Sequence, residues 1–126
     1  MAKSHRAVTL LELMVAVVII GILATLAITS FFRPTETARD REAQANLKLI
    51  AAAEKIYRLE TGTYIGLADA TAINQALRLT LPNDNQQWTY SVAATANTFT
   101  ADAIRQRGET PKTFRMTEAV DEPWRL

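Results

Sequence analysis

Residues 13–32, LMVAVVIIGILATLAITSFF, run for twenty positions without a charged side chain, with Thr25, Thr29 and Ser30 as the polar members. As a helix rising about 1.5 Å per residue the run is about 30 Å long, the thickness of a bilayer hydrocarbon core. No other feature constrains the chain so much. The rest of the 126 residues amounts to one small folded unit, with no core large enough to surround such a helix. A secretory leader would carry a shorter apolar stretch of about 7 to 15 residues and close on small residues, whereas this one closes on Phe31, Phe32 and Arg33. The run therefore reads as a membrane-spanning helix, with Phe31 and Phe32 as aromatic anchors at its boundary. Lys3 and Arg6 ahead of it put the N-terminus on the cytoplasmic side by the positive-inside rule, and Arg33, Arg39 and Arg41 behind it weaken that bias.

Glu12 stands at the head of this run. A carboxylate inside hydrocarbon costs at least a few kcal/mol unless it sits at the interface or meets a positive partner. Two readings follow from the residues: Glu12 rests among headgroups and touches nothing, or its partner is supplied by another event.

Little else in the chain suggests chemistry. There is no cysteine, which removes disulfides and thiolate metal sites, and the single histidine is His5. With 14 basic and 13 acidic residues the net charge is +1, so bulk attraction to nucleic acid is not expected. Asp121 and Glu122 form an adjacent acidic pair that reads as surface solvation, and no oxygen-ligand loop pattern supports a calcium site built from them with Asp84. Tyr57, Tyr64, Trp88 and Tyr90 read as core and strand packing rather than a base-stacking surface. Neither a cofactor, a metal nor a catalytic residue is expected.

The stretch AVTLLELMVAVVIIGILATLAI, residues 7–28, resembles the N-terminal signature of type IV pilins and pseudopilins. In that family a short basic leader ends in a small residue, a prepilin peptidase cuts on the cytoplasmic side, and the mature chain opens with an apolar residue, Thr, Leu, an aliphatic residue and Glu. The resemblance makes Ala7 the last leader residue and Val8 the new N-terminus, followed by Thr9, Leu10, Leu11 and Glu12. It implies N-methylation of Val8 and pairing of Glu12 with the N-terminal amine of an adjacent subunit, so that Val8, Thr9 and Glu12 serve assembly. Ala7 stands where glycine is usual, Val8 where phenylalanine is usual, and Thr29 where many members carry a helix-bending proline. Many members also staple the C-terminal region with a cysteine pair that this chain lacks.

Beyond the run, Pro34 is expected to kink or restart the helix. Ala38, Ala45, Leu49, Ala52, Ile56 and Leu59 recur at helical spacing as the expected buried stripe, widened by Ile50, Ala53 and Tyr57. Glu54 and Arg58 have the spacing of an ion pair, and Gly62 supplies a C-cap. Asp69 caps a short helix through Leu77 with Ile73 and Leu77 inward, and LPNDNQ reads as a turn. Alternation then marks three strands, through Trp88, Tyr90 and Val92, through Phe99, Ala101 and Ala103, and through Phe114 and Met116. Thr95, Ala96 and Asn97 join the first two as a hairpin, and Gly108 and Pro111 interrupt the chain before the third. AQANLKLIAAAEKIYRLETGTY, residues 43–64, also resembles the second half of the long pilin helix.

The expected fold is α+β: a long N-terminal helix, membrane-spanning in its first half and amphipathic in its second, packed on a small antiparallel sheet of three to four strands. Residues 1–7 would be a cleaved leader, 8–33 a transmembrane and filament-core helix, and 34–126 a small head that includes the rest of the helix. The implied function is a structural subunit of a type IV pilus-like filament or, alternatively, a type II secretion pseudopilin. Its partners would be identical or homologous subunits, prepilin peptidase, an inner-membrane assembly platform and membrane lipid. The subunit would be stored in the inner membrane and then enter a periplasmic or extracellular filament. An uncleaved single-pass anchor carrying a small binding domain is the rival of another class.

Overall fold

The computed structural model describes residues 7–82, 87–105, 107 and 111–126, and within the first helix it describes the backbone but not the side chains of 29–34. The expected leader before Ala7, most of the LPNDNQ turn with Asp84, the side chains of Phe31 and Phe32, and Gly108 lie outside the described residues. The chain divides into two compact units, Met1–Ala38 and Arg39–Leu126.

Helix α1 (Leu10–Thr61) is a single element of 52 residues. It is assigned without interruption through Pro34, so the restart expected there does not occur. At its far end Gly62 takes φ +91°, a left-handed conformation cheap for glycine, and its N–H donates to the carbonyl of Arg58 at 2.7 Å. The Thr61 hydroxyl donates to the Tyr57 carbonyl at 2.8 Å, covering a second orphan acceptor of the last turn. Asp69 caps α2 (Ala70–Leu77) as its sequence suggested, accepting from the Ala72 N–H at 2.8 Å, and Ile73 and Leu77 are buried.

Strands β1 (Trp88–Ala94), β2 (Phe99–Arg105), β3 (Thr113–Thr117) and β4 (Trp124–Arg125) form an antiparallel meander in that order. The hairpin between β1 and β2 closes through the Thr95 N–H, which donates to the Thr98 carbonyl at 2.8 Å. Every residue that alternation pointed inward on the first three strands is buried. Register places Ala103 between Tyr90 and Phe114, and Ala101 between Val92 and Met116. Large and small side chains thus alternate across the row, as an interdigitated core requires.

The second half of α1 joins this core by the expected widening residues Ile50, Ala53 and Tyr57 and not by the main stripe they were to widen. Ala43, Leu47, Ile50, Ala51 and Glu54 are buried, with Ala53 and Tyr57 partly covered. Leu49, Ile56 and Leu59 are 46%, 57% and 87% exposed, and Ala38, Ala45 and Ala52 are exposed with them. Both sets obey helical spacing, so spacing alone could not choose between them. Beside the buried stripe, Asn46 donates to the Tyr90 hydroxyl at 2.8 Å and ties the helix to β1. Burial pushes the Tyr90 hydroxyl above its ordinary range, and the Asn46 bond acts against that shift.

Candidate functional site

At the N-terminal end of the described chain, Ala7, Val8 and Thr9 are non-helical and exposed. Thr9 is the N-cap of α1: its carbonyl accepts the N–H of Leu13 at 3.1 Å, and its Oγ1 accepts the N–H of Glu12 at 3.2 Å. Thr9-Leu10-Leu11-Glu12 therefore has the T-x-x-E spacing of a capping box, a signal present in the sequence that family resemblance alone did not exploit. The cap fixes Glu12 in the first turn, where the helix dipole favours a negative charge, and it keeps Val8 outside the helix.

From Leu10 to Ile28 the helix is long and apolar enough to cross a membrane, and none of that window is buried within the protein. Every large apolar residue from Val8 to Ile28 is at least half exposed. The helix's apolar surface goes all the way round, unlike the one-sided stripe of a surface helix. The polar Thr25 is accommodated because its hydroxyl donates to the Ile22 carbonyl at 2.7 Å. Gly21 has no neighbour within 4 Å of the position a Cβ would take.

In the unit Arg39–Leu126, ion pairs fasten the C-terminal part to the helix. Lys112 Nζ lies 2.8 Å from Asp40 Oδ2, and Lys48 Nζ lies 2.6 Å from Glu122 Oε1. Across β2 and β3, Arg115 grips Asp102 with two bonds of 2.7 and 2.8 Å, which hold its guanidinium more firmly charged.

The expected Glu54–Arg58 pair does not form. Glu54 is fully buried, its Oε2 accepts the Ile65 N–H at 3.1 Å, and its Oε1 has no partner. Burial raises its pKa above the ordinary 4.5, against a smaller lowering by the Ile65 bond. Arg58 turns to Tyr64 instead, its guanidinium 4.9 Å from the ring centroid and Nη1 3.3 Å from the hydroxyl. The reason is competition: the loop after Gly62 brings a backbone donor into an apolar interior, where the carboxylate satisfies it.

Of the residues assigned to processing and assembly, Val8, Thr9 and Glu12 lie together at the start of α1, directly after Ala7. Glu122 serves as a helix-to-loop tie, and among the described residues no three acidic or histidine side chains gather as metal ligands.

Residues 2–28 match the family model described as the prokaryotic N-terminal methylation motif. The chain is 34% identical over 92 residues to the type IV major pilin protein PilA of Myxococcus xanthus, covering 73% of this chain and 39% of that protein. It is 41% identical over 62 residues to the type II secretion system core protein G of Pseudomonas aeruginosa, covering 49% of this chain and 44% of that protein. The match thus spans less than half the length of either relative. No solved structure matches the chain.

Proposed function

We propose, from the premise that this chain carries the prokaryotic N-terminal methylation motif and is a relative of type IV pilins and type II secretion core proteins, that it is a structural subunit of a pilus-like filament. It acts by polymerising rather than as an enzyme. The observation that carries this reading is the helix from Leu10 to Ile28, apolar and exposed on every side, with Glu12 in its first turn. Such a helix needs hydrocarbon around it at one stage and can exchange that hydrocarbon for neighbouring helices at the next.

In this mechanism prepilin peptidase removes residues 1–7 at the Ala7–Val8 bond, which lies ahead of the helix cap where the backbone is not helical. Val8 gains a free α-amino group and is methylated. The subunit waits in the inner membrane, N-terminus cytoplasmic, until the assembly platform moves it into a filament. There Glu12 meets the Val8 amine of a neighbour, and the pair sets the register of the helices. A mismatched register would leave both charges unpaired among apolar side chains, where breaking a buried pair costs about 3 to 5 kcal/mol.

Glu12→Leu tests this. The substitution makes the segment more apolar, so membrane insertion and leader removal proceed as in wild type. Sheared-filament yield, measured against total membrane-bound subunit, drops to a small fraction of wild type. Wild-type yield from Glu12→Leu and Glu12→Gln alike would leave the carboxylate as a headgroup resident and refute the pairing. A second reading, the secretion pseudopilin, is favoured by the 41% identity to core protein G. Deleting the pilus platform and the secretion platform in turn separates the two, since filaments vanish with the machine that extrudes them.

A further inference from the structure

Where α1 ends, an open groove of about 570 Å³ is lined by Lys55, Arg58, Leu59, Gly62 and Tyr64. Gly62 leaves its floor clear, with nothing within 4 Å of the position a Cβ would take. Leu59 is 87% exposed, an apolar surface flanked by two cations. Arg58 is held over Tyr64, whereas Lys55 forms no ion pair with any described residue.

The loop between β3 and β4 has the opposite character. Its ends are tied down: Glu118 Oε2 accepts the Phe99 N–H at 3.0 Å, and Glu122 pairs with Lys48 at 2.6 Å. Between these anchors Val120 and Asp121 are exposed, and Asp121 forms no ion pair with any described residue. A loop fixed at both ends loses little entropy when it docks.

We propose that this groove receives the loop of a second copy of the chain, Val120 seating against Leu59 and Asp121 facing Lys55. The inference rests on the filament reading and specifies a contact between heads. Charge complementarity picks the occupant, since an apolar residue beside an acid meets an apolar residue beside bases. The chain's own loop does not line the groove. Glu122 holds the loop at Lys48, which lies seven residues before Lys55 on the same helix face, about 10 Å along the axis. Groove and loop are different surfaces, so the contact is heterologous. Repeated from copy to copy with a rotation that does not close on itself, as a filament requires, it extends as an open assembly.

Cross-linking reads this contact directly, because the chain has no cysteine of its own. Leu59→Cys and Val120→Cys are introduced into separate copies, co-expressed, assembled and oxidised as sheared filaments. A disulfide-linked dimer forms in the mixture, and neither variant cross-links alone. In parallel, Lys55→Glu and Asp121→Lys each reduce filament yield roughly tenfold or more, through like charges brought face to face, and the double variant recovers it. Loss with Lys55→Glu but wild-type yield with Asp121→Lys assigns the groove to a different acidic partner and overturns the proposal. Normal filaments without the mixed disulfide overturn it too, leaving the filament reading intact. If wild-type chain with intact processing yields no filament, the filament reading fails and the interface with it.

Discussion

The first and second halves of α1 are equally helical and both rich in apolar residues, yet the protein treats them differently. Between Leu10 and Ile28 it buries nothing, while between Ala43 and Tyr57 it buries one stripe and leaves another in the open. The first half has no polar face to give to water, so it must be solvated by lipid or by other helices. The second half has two apolar stripes, and its own sheet covers one. Apolar surface that a chain leaves uncovered on a folded head is a statement about neighbours. The comparison divides α1 into a part that lipid or other helices must cover, a stripe that folding covers, and a strip at Leu49, Ile56 and Leu59 that the fold leaves exposed.

The largest effect that can break this division is cavity formation. Leu47→Ala should destabilise the head by about 2 to 5 kcal/mol in thermal or denaturant unfolding of the full chain in detergent, whereas Leu59→Ala should stay within about 0.5 kcal/mol. Equal losses at the two sites would mean that the stripes are wrongly assigned. Glu54→Gln sharpens the same point through pH. The raised pKa of Glu54 means that the fold favours its protonated form, so its contribution is full below the ordinary 4.5 and is lost as pH rises through the higher folded value. Stability of wild type relative to Glu54→Gln should therefore fall with rising pH across that window. A constant difference would place the carboxylate in contact with water.

Smaller effects sit at the helix ends. Gly62→Ala should cost about 1 kcal/mol, because a side chain at φ +91° is strained even where space is open. Thr9→Val, which keeps the shape and removes the acceptor, should fray the first turn by about 1 kcal/mol, and Thr9→Ser should preserve it. Amide exchange at Glu12 in detergent reads that difference; equal exchange in both variants would remove the cap from the account.

These sites also mark what the sequence made legible. The membrane-length run and the strand alternation could be read because length and period-two patterning are local properties, and Trp88 to Met116 faced as expected. The helix stripe was read correctly at Ile50, Ala53 and Tyr57 and misplaced in its main line, because Leu49, Ile56 and Leu59 fit helical spacing as well as Ala43, Leu47 and Ala51 do. β4 is two residues long, too short for any pattern. Glu54 lost its expected partner to the backbone N–H of Ile65, and no side-chain spacing rule encodes such a donor. At the start of α1, the T-x-x-E spacing of Thr9 and Glu12 encodes the cap locally although the sequence reading did not use it, whereas the loop anchored by Glu122 to Lys48 joins residues 74 positions apart.

All of this rests on the claim that α1 begins life attached to a leader and finishes it among copies of itself. Mass spectrometry of the N-terminal peptide from sheared, purified filaments tests that claim most directly. The account predicts a chain that starts at Val8 and carries an added methyl group on its amine. A chain retained in the membrane, absent from the sheared fraction and still starting at Met1 or Ala2 would contradict it.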